Sequence, residues 1–158
     1  GFGIIMTADT IIDWHNLYSL LQEIDILSLP IIFVVTSQIQ ESQQNSGHLL
    51  AINHQLIYSK EANAPFVSPE DQLANISRNP LVERYSSTGI LIFNKRFFKY
   101  TFKRLKEFIG QDRYDLYRDY IPFLVREVIN VHILDIGSYV WDLGTIDRRN
   151  SFSQFQEG

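Results

Sequence analysis

The chain has 158 residues, which suits one domain able to bury roughly 68–70% of its unfolded surface without disulfide or metal staples. Hydrophobic residues make up 45% and aromatics 13%, which excludes a disordered or collagen-like chain, and no apolar run approaches the ~18 residues of a membrane helix. A net charge of −4 argues against whole-molecule attraction to nucleic acid or an anionic membrane, and zero cysteines exclude a disulfide scaffold, a thiol nucleophile and any thiolate metal site.

The apolar run Gly1–Ala8, continuous through Ile4, Ile5 and Met6, reads as a strand buried on both faces and stops at Asp9-Thr10. Asp13 and Asn16 are N-cap candidates for a helix whose Leu17, Leu20, Leu21 and Ile24 follow the i, i+3, i+4, i+7 template. Ile31–Val35 is a second buried strand by composition. Strand, helix and strand together read as a βαβ unit of about thirty residues, which predicts the two strands adjacent and parallel. Ser37–Ser46 is polar and Gln-rich, an exposed loop. Gly47–Lys60 reads as a hairpin turning near Asn53-His54, and Glu61–Pro80, with three prolines, as loop.

Tyr85–Phe93 is strand-like, with Gly89 placed for a close backbone approach. Lys95–Ile109 is a helix with Phe98, Phe102, Leu105 and Ile109 on its inner stripe and Gly110 as its stop. A second helix covers Asp119–Val128, and short strands cover Val131–Leu134 and Ser138–Trp141. Gly144-Thr145 turns the chain into a last helical stretch. Residues 1–150 are thus expected to form one α/β domain, and 151–158 a flexible polar tail. No charged n-region precedes an apolar stretch, so a cytoplasmic protein without a signal peptide is expected.

In open α/β sheets, ligands bind beyond the carboxyl ends of strands. That rule singles out Asp9, after the first buried strand, and Asp142, after the last. Two carboxylates from separate strand ends can share a Mg²⁺, which leaves positions for water and phosphate. From position alone each aspartate reads first as a cap of the helix or turn that follows it, and only the pair together points to a metal. Asp135 and Asp147 flank the same region as turn residues or as support for a metal site. The basic run Lys95, Arg96, Lys99, Lys103, Arg104 and Lys106 reads as the solvated face of an amphipathic helix, with an acidic partner or RNA as the other reading. His15, His48, His54 and His132 lack metal-ligand spacing. Asn75-Ile76-Ser77 is a sequon with no secretory signal to give it meaning, and Tyr114, Tyr117, Tyr120 and Tyr139 are packing residues.

The segments Ala8-Asp9-Thr10-Ile11, Ser87-Thr88-Gly89-Ile90-Leu91-Ile92-Phe93, Asp119-Tyr120-Ile121-Pro122-Phe123-Leu124 and Trp141-Asp142-Leu143-Gly144-Thr145, in this order, resemble four motifs of the sugar-1-phosphate nucleotidyltransferases. Those motifs are Gly-Asp-Thr-Leu, Asn-Ala-Gly-Ile-Tyr-Val-Phe, Asp-x-Ile-Pro-x-Leu and Trp-x-Asp-x-Gly-Thr. Gly47 falls where that family begins its Gly-Val-Val strand, and Lys60 where it has the lysine of Glu-Lys-Pro. The resemblance runs from Ile4 to about Arg148, and it implies a Rossmann-like mixed sheet flanked by helices, of glycosyltransferase-A-like type. It also implies transfer of a nucleotide from a nucleoside triphosphate to a sugar-1-phosphate, with release of pyrophosphate. By that resemblance Asp9 and Asp142 match the Mg²⁺ ligands, and Lys60, Ser87 and Gly89 match substrate-binding positions.

The family's Gly-x-Gly-Thr-Arg-x-x-Pro loop, which holds the triphosphate, has no counterpart here. Gly1-Phe2-Gly3 precedes its strand, whereas a phosphate cradle follows one. Ser59 and Glu61 stand in place of the Glu and Pro of Glu-Lys-Pro, Ser87 in place of the Asn of Asn-Ala-Gly, and Trp141 directly precedes Asp142. The fold is therefore expected to be incomplete, with a missing N-terminal segment or partner chain, and the isolated chain to be inactive. The alternative is a catalytically silent, nucleotidyltransferase-like regulatory or scaffold module.

Overall fold

The computed structural model describes residues 1–38, 48–60, 78–110, 113–143 and 146–157. Its elements are β1 (Phe2–Met6), β2 (Thr10–Ile11), α1 (Trp14–Glu23), β3 (Ile31–Thr36), β4 (His48–Ile52), β5 (Gln55–Lys60), β6 (Glu83–Asn94), α2 (Lys95–Ile109), α3 (Ile121–Arg126), β7 (His132–Asp135), β8 (Trp141–Asp142) and α4 (Ile146–Glu157). A 3₁₀ turn occupies Ile26–Ser28, and a π-turn at Leu116–Tyr120 leads into α3. Most of the two loops expected at Ser37–Ser46 and Glu61–Pro80 lies outside the described residues. So do Gly47, the sequon Asn75–Ser77 and the Gly144-Thr145 turn.

The fold is mixed α/β. Strand order in the main sheet is β1-β6-β3-β7-β5-β4, and β4 pairs back onto β6. Five strands therefore close a barrel and β1 lies outside the ring, a closure that no local pattern in the chain foretells. The sheet is mixed: β3 and β7 pair parallel, while β6 pairs antiparallel with β1, β3 and β4.

The expected neighbourhood of β1 and β3 is corrected here. Both lie antiparallel to β6, so they run in the same direction, but β6 sits between them. The reason is apolar demand on both faces: Ile90–Phe93 is buried throughout, and a strand that apolar is most stable with both edges paired. Displaced to the edge, β1 is not buried on both faces; Ile4 is 60% exposed and Met6 48%.

Local chemistry explains the remaining elements. Asp13 caps α1 by accepting from Asn16 N at 2.9 Å, and Asn94 caps α2 by accepting from Arg96 N and Phe97 N. Gly110 ends α2 in the left-handed region at φ 65°, donating back to Lys106 O. Asn53 and His54 both have positive φ, as a two-residue hairpin turn requires. The helix expected at Asp119 begins earlier, because Asp115 caps Tyr117 N and Arg118 N and starts the π-turn. The segment from Ser151 lies within α4 as far as Glu157.

Two apolar layers flank the sheet. On one face Leu17, Leu20, Leu21 and Ile24 of the α1 region cover Ile32, Val34, Ile90 and Ile92. On the other, α2, the π-turn and α3 cover Ile31, Phe33, Val35, Leu91 and Phe93. In that second layer, Tyr120 hydroxyl meets Thr101 Oγ1 at 2.6 Å, and Thr101 in turn donates to Phe97 O. Burial pushes the Tyr120 phenol up to about 12, so it stays protonated and donates.

Two predictions follow from strained or buried groups. Val128 ends the α3 turn at φ 57°, a region that crowds a β-branched side chain. Val128→Gly is expected to raise stability by about 1 kcal/mol, read from the urea midpoint. At the start of β7, burial and then the neighbouring His54, whose ring lies 5.8 Å away, lower the His132 pKa. The unfolded chain thus binds a proton more readily than the native one. Stability should be full above the unfolded value near 6.5 and fall as pH drops through the lower native value. Melting profiles between about pH 8 and 5 should be flatter for His132→Gln.

Candidate functional site

β1 ends at Met6, and the next residues fold back against β6. Thr7 N donates to Gly89 O at 3.1 Å, which fixes Thr7 over the middle of β6. Gly89 has φ 75°, and a Cβ there would run into Thr7 Oγ1 and sit 3.1 Å from Thr7 Cγ2. The close approach expected at Gly89 is therefore made by Thr7, and only glycine fits both the angle and the space. Ser87 Oγ accepts from Gly89 N at 2.9 Å, and the Tyr117 hydroxyl donates to Gly89 O at 2.5 Å. Tyr117 thereby ties the π-turn to the strand bearing Ser87 and Gly89, while its ring stacks on Phe33 at 5.8 Å.

From Thr7 the network runs on to the aspartates. Thr7 Oγ1 and Thr10 Oγ1 are 2.6 Å apart. Thr10 pairs with Asp142 and Ile11 with Trp141 in the antiparallel β2–β8 ladder. Leu143 N donates to Asp9 O at 2.7 Å. The fold thus brings the backbones of Asp9 and Asp142 side by side from opposite ends of the chain. The Asp9 side chain is exposed; the side chain of Asp142 lies outside what the structure describes.

α4 supports this ladder from outside. The Trp141 and Phe152 rings are 5.4 Å apart, and Arg149 Nε donates to Leu143 O at 2.9 Å. Asp135 serves the neighbouring turn, accepting from Ser37 N and Gly137 N. Beside it Thr36 Oγ1 donates to Ser138 O, and Asn16 Nδ2 of α1 donates to Ile136 O at 2.5 Å. Lys60 closes β5 opposite His48; its side chain, like that of Asp147, lies outside the described residues.

Thr7, Tyr117 and Arg149 are the site-forming residues that sequence reasoning passed over. Thr7 carried a signal, since a glycine set for close approach needs something to approach it. Tyr117 and Arg149 carried none, because each acts on a backbone carbonyl far away in sequence.

The Thr7 and Thr10 hydroxyls bond each other, and the carbonyls of Gly89, Asp9 and Leu143 each accept a hydrogen bond, while the Asp9 carboxylate is exposed. Mg²⁺ takes one or two carboxylates alongside waters and phosphate. Among the described residues no group of three or more His, Cys, Asp or Glu side chains could hold a metal.

No protein-family model and no curated protein matches this sequence. Solved structures do. A nucleoside-diphosphate-sugar pyrophosphorylase from Vibrio cholerae RC9 aligns with a TM-score of 0.53 at 15% identity, over 98% of this chain and 56% of its own. An inositol-1-phosphate CTP transferase from T. maritima aligns with a TM-score of 0.60 at 13% identity, over 99% of this chain and 57% of its own. At such identities the likeness is one of fold alone. The chain spans little more than half the length of either protein.

The network makes Gly89 and Tyr117 separable. Gly89→Ala should cost at least about 2 kcal/mol, because it adds a steric clash to an unfavourable φ. Tyr117→Phe should cost about 1 kcal/mol for one lost hydrogen bond. Chemical denaturation of both variants checks the ranking, and equal losses would contradict it.

Proposed function

We propose that residues 1–158 are part of a sugar-1-phosphate nucleotidyltransferase, an enzyme that joins a nucleoside triphosphate to a sugar-1-phosphate and releases pyrophosphate. The observation that carries this reading is the β2–β8 ladder, which sets the backbone of Asp9 beside that of Asp142. Asp9 and Asp142 would hold the Mg²⁺, which when bound supplies neutralisation of phosphate charge. Thr7 and Thr10 fix the turn from which Asp9 projects. Ser87 and Gly89 form the adjoining floor, and Lys60 is the candidate cation for the sugar phosphate. Because Thr7 fills the space beside Gly89, this glycine serves the site by shaping that floor. No nucleophile is required from the protein, since the sugar phosphate oxygen attacks and pyrophosphate leaves. The chain's work is orientation and charge placement.

Two features support a further segment or partner chain that completes the enzyme. No glycine-rich loop follows a strand in these residues, so backbone donors for a triphosphate must come from elsewhere. Among the described residues β1 pairs with β6 alone, and its apolar Ile4 and Met6 stand exposed at the sheet edge. The missing loop equally favours the second reading, a silent nucleotidyltransferase-like module that regulates or scaffolds a partner.

Pyrophosphate release, with sugar-1-phosphates and each nucleoside triphosphate, separates the readings. Residues 1–158 alone should release none. In a parent protein supplying the loop, Asp142→Asn should lower turnover by at least about 100-fold and leave the melting temperature unchanged. Undiminished turnover would remove Asp142 from the mechanism, and a parent inactive with every substrate would favour the silent module.

A further inference from the structure

We propose that His54 and His132 form a two-imidazole site for a borderline transition-metal dication, with Zn²⁺ as the reference ion. The fold brings together two histidines that lie far apart in the chain. His54 is in the turn between β4 and β5, and His132 opens β7. Gln55 pairs with His132 in the β5–β7 ladder. Ile133 N donates to His54 O at 2.7 Å, and Leu56 N donates to Val131 O at 2.9 Å. These two bonds bracket His132 and pin both imidazole-bearing backbones to one another. A chelating pair needs that preorganisation.

The ring centres are 5.8 Å apart. A tetrahedral ion held by one nitrogen of each ring at about 2.0–2.1 Å would set the centres roughly 5 Å apart. Ligation therefore asks for less than about 1 Å of closure, within reach of side-chain rotation. His132 is half-buried on the strand paired with β3, and His54 is exposed, so an ion enters from the His54 side. Burial and the neighbouring His54 both lower the His132 pKa. That ring is thus kept neutral, the form that binds a metal.

The donor atoms select the ion. Imidazole nitrogens suit Zn²⁺, Cu²⁺ or Ni²⁺, whereas Mg²⁺ takes oxygen. Among the described residues no group of three or more His, Cys, Asp or Glu side chains is assembled, so the pair leaves positions open to water or an external donor. His54 bears a second mark. Its φ is 62°, at a turn position where glycine is the usual residue. A glycine would make the same turn with less strain, and the imidazole is what the turn keeps in exchange. Among the described residues Gln55–His132 is the one register pair between β5 and β7. An ion on His54 and His132 would clamp the barrel at that thin seam.

The test is titration of untagged residues 1–158 with Zn²⁺, followed through the ring-proton NMR signals of the four histidines. The His54 and His132 signals are expected to shift together and saturate at one ion per chain, while those of His15, on α1, and His48, at the far end of β4, stay in place. Mg²⁺ should move neither ring of the pair. His54→Gly suits the turn's φ and so keeps the fold. It should weaken Zn²⁺ binding at least about tenfold and silence the response of His132, since losing even an outer partner of a metal ligand costs that much. His132→Gln should do the same to His54. No shift at submillimolar Zn²⁺, a shift of one ring only, or equal shifts of all four histidines would overturn the proposal. So would binding that survives both variants. None of these readouts depends on nucleotidyl transfer or on the Mg²⁺ proposed at Asp9 and Asp142.

Discussion

The close approach of Thr7 to Gly89 is the contact on which the arrangement of the site depends. A side chain at position 89 would push Thr7 off β6, and Thr7 is what turns the chain from β1 toward Asp9 and β2. From the same glycine, Ser87 and Tyr117 are fixed through its N–H and carbonyl. One residue without a Cβ thus registers three segments of the chain. Both backbone polar groups of Gly89 are satisfied at this crossing, the N–H by Ser87 Oγ and the carbonyl by Thr7 N and the Tyr117 hydroxyl.

β6 makes that crossing possible. Its twelve residues pair with β4 near one end and with β1 and β3 toward the other. The apolar segment Ile90–Phe93 supplies side chains to both layers of the core, alternating as a strand must. The α1 layer and the α2–α3 layer therefore share one scaffold. The two faces differ in charge as well: α1 carries no Lys or Arg, whereas α2 carries six.

Most elements were legible because their signals are local. The Asp13 cap, the inner stripe of α2, Gly110 as a stop and the turn at Asn53-His54 are each decided within a few residues. Gly89 was legible for the same reason, as a glycine inside an otherwise apolar strand. The insertion of β6 between β1 and β3 was not, because a tidy strand–helix–strand pattern contains no trace of a strand arriving from far along the chain. Barrel closure through β4 is invisible for the same reason. At the site, the β2–β8 pairing joins segments far apart in the chain, and the hydroxyl and guanidinium contacts of Tyr117 and Arg149 land on carbonyls that no pattern marks.

The ladder that joins the two ends of the chain is only two residues deep on each side. Its sequence separation nearly spans the domain, so the entropy of closing that loop is spent for a very short stretch of pairing. Such a ladder assembles late, once the barrel has fixed both flanks, and it is a place where the native state can open while the core persists. Amide exchange near Thr10 and Leu143 would then be governed by local opening rather than by global unfolding. A ligand gripping both sides would act as a clasp on this opening, stabilising the closed form in proportion to its occupancy.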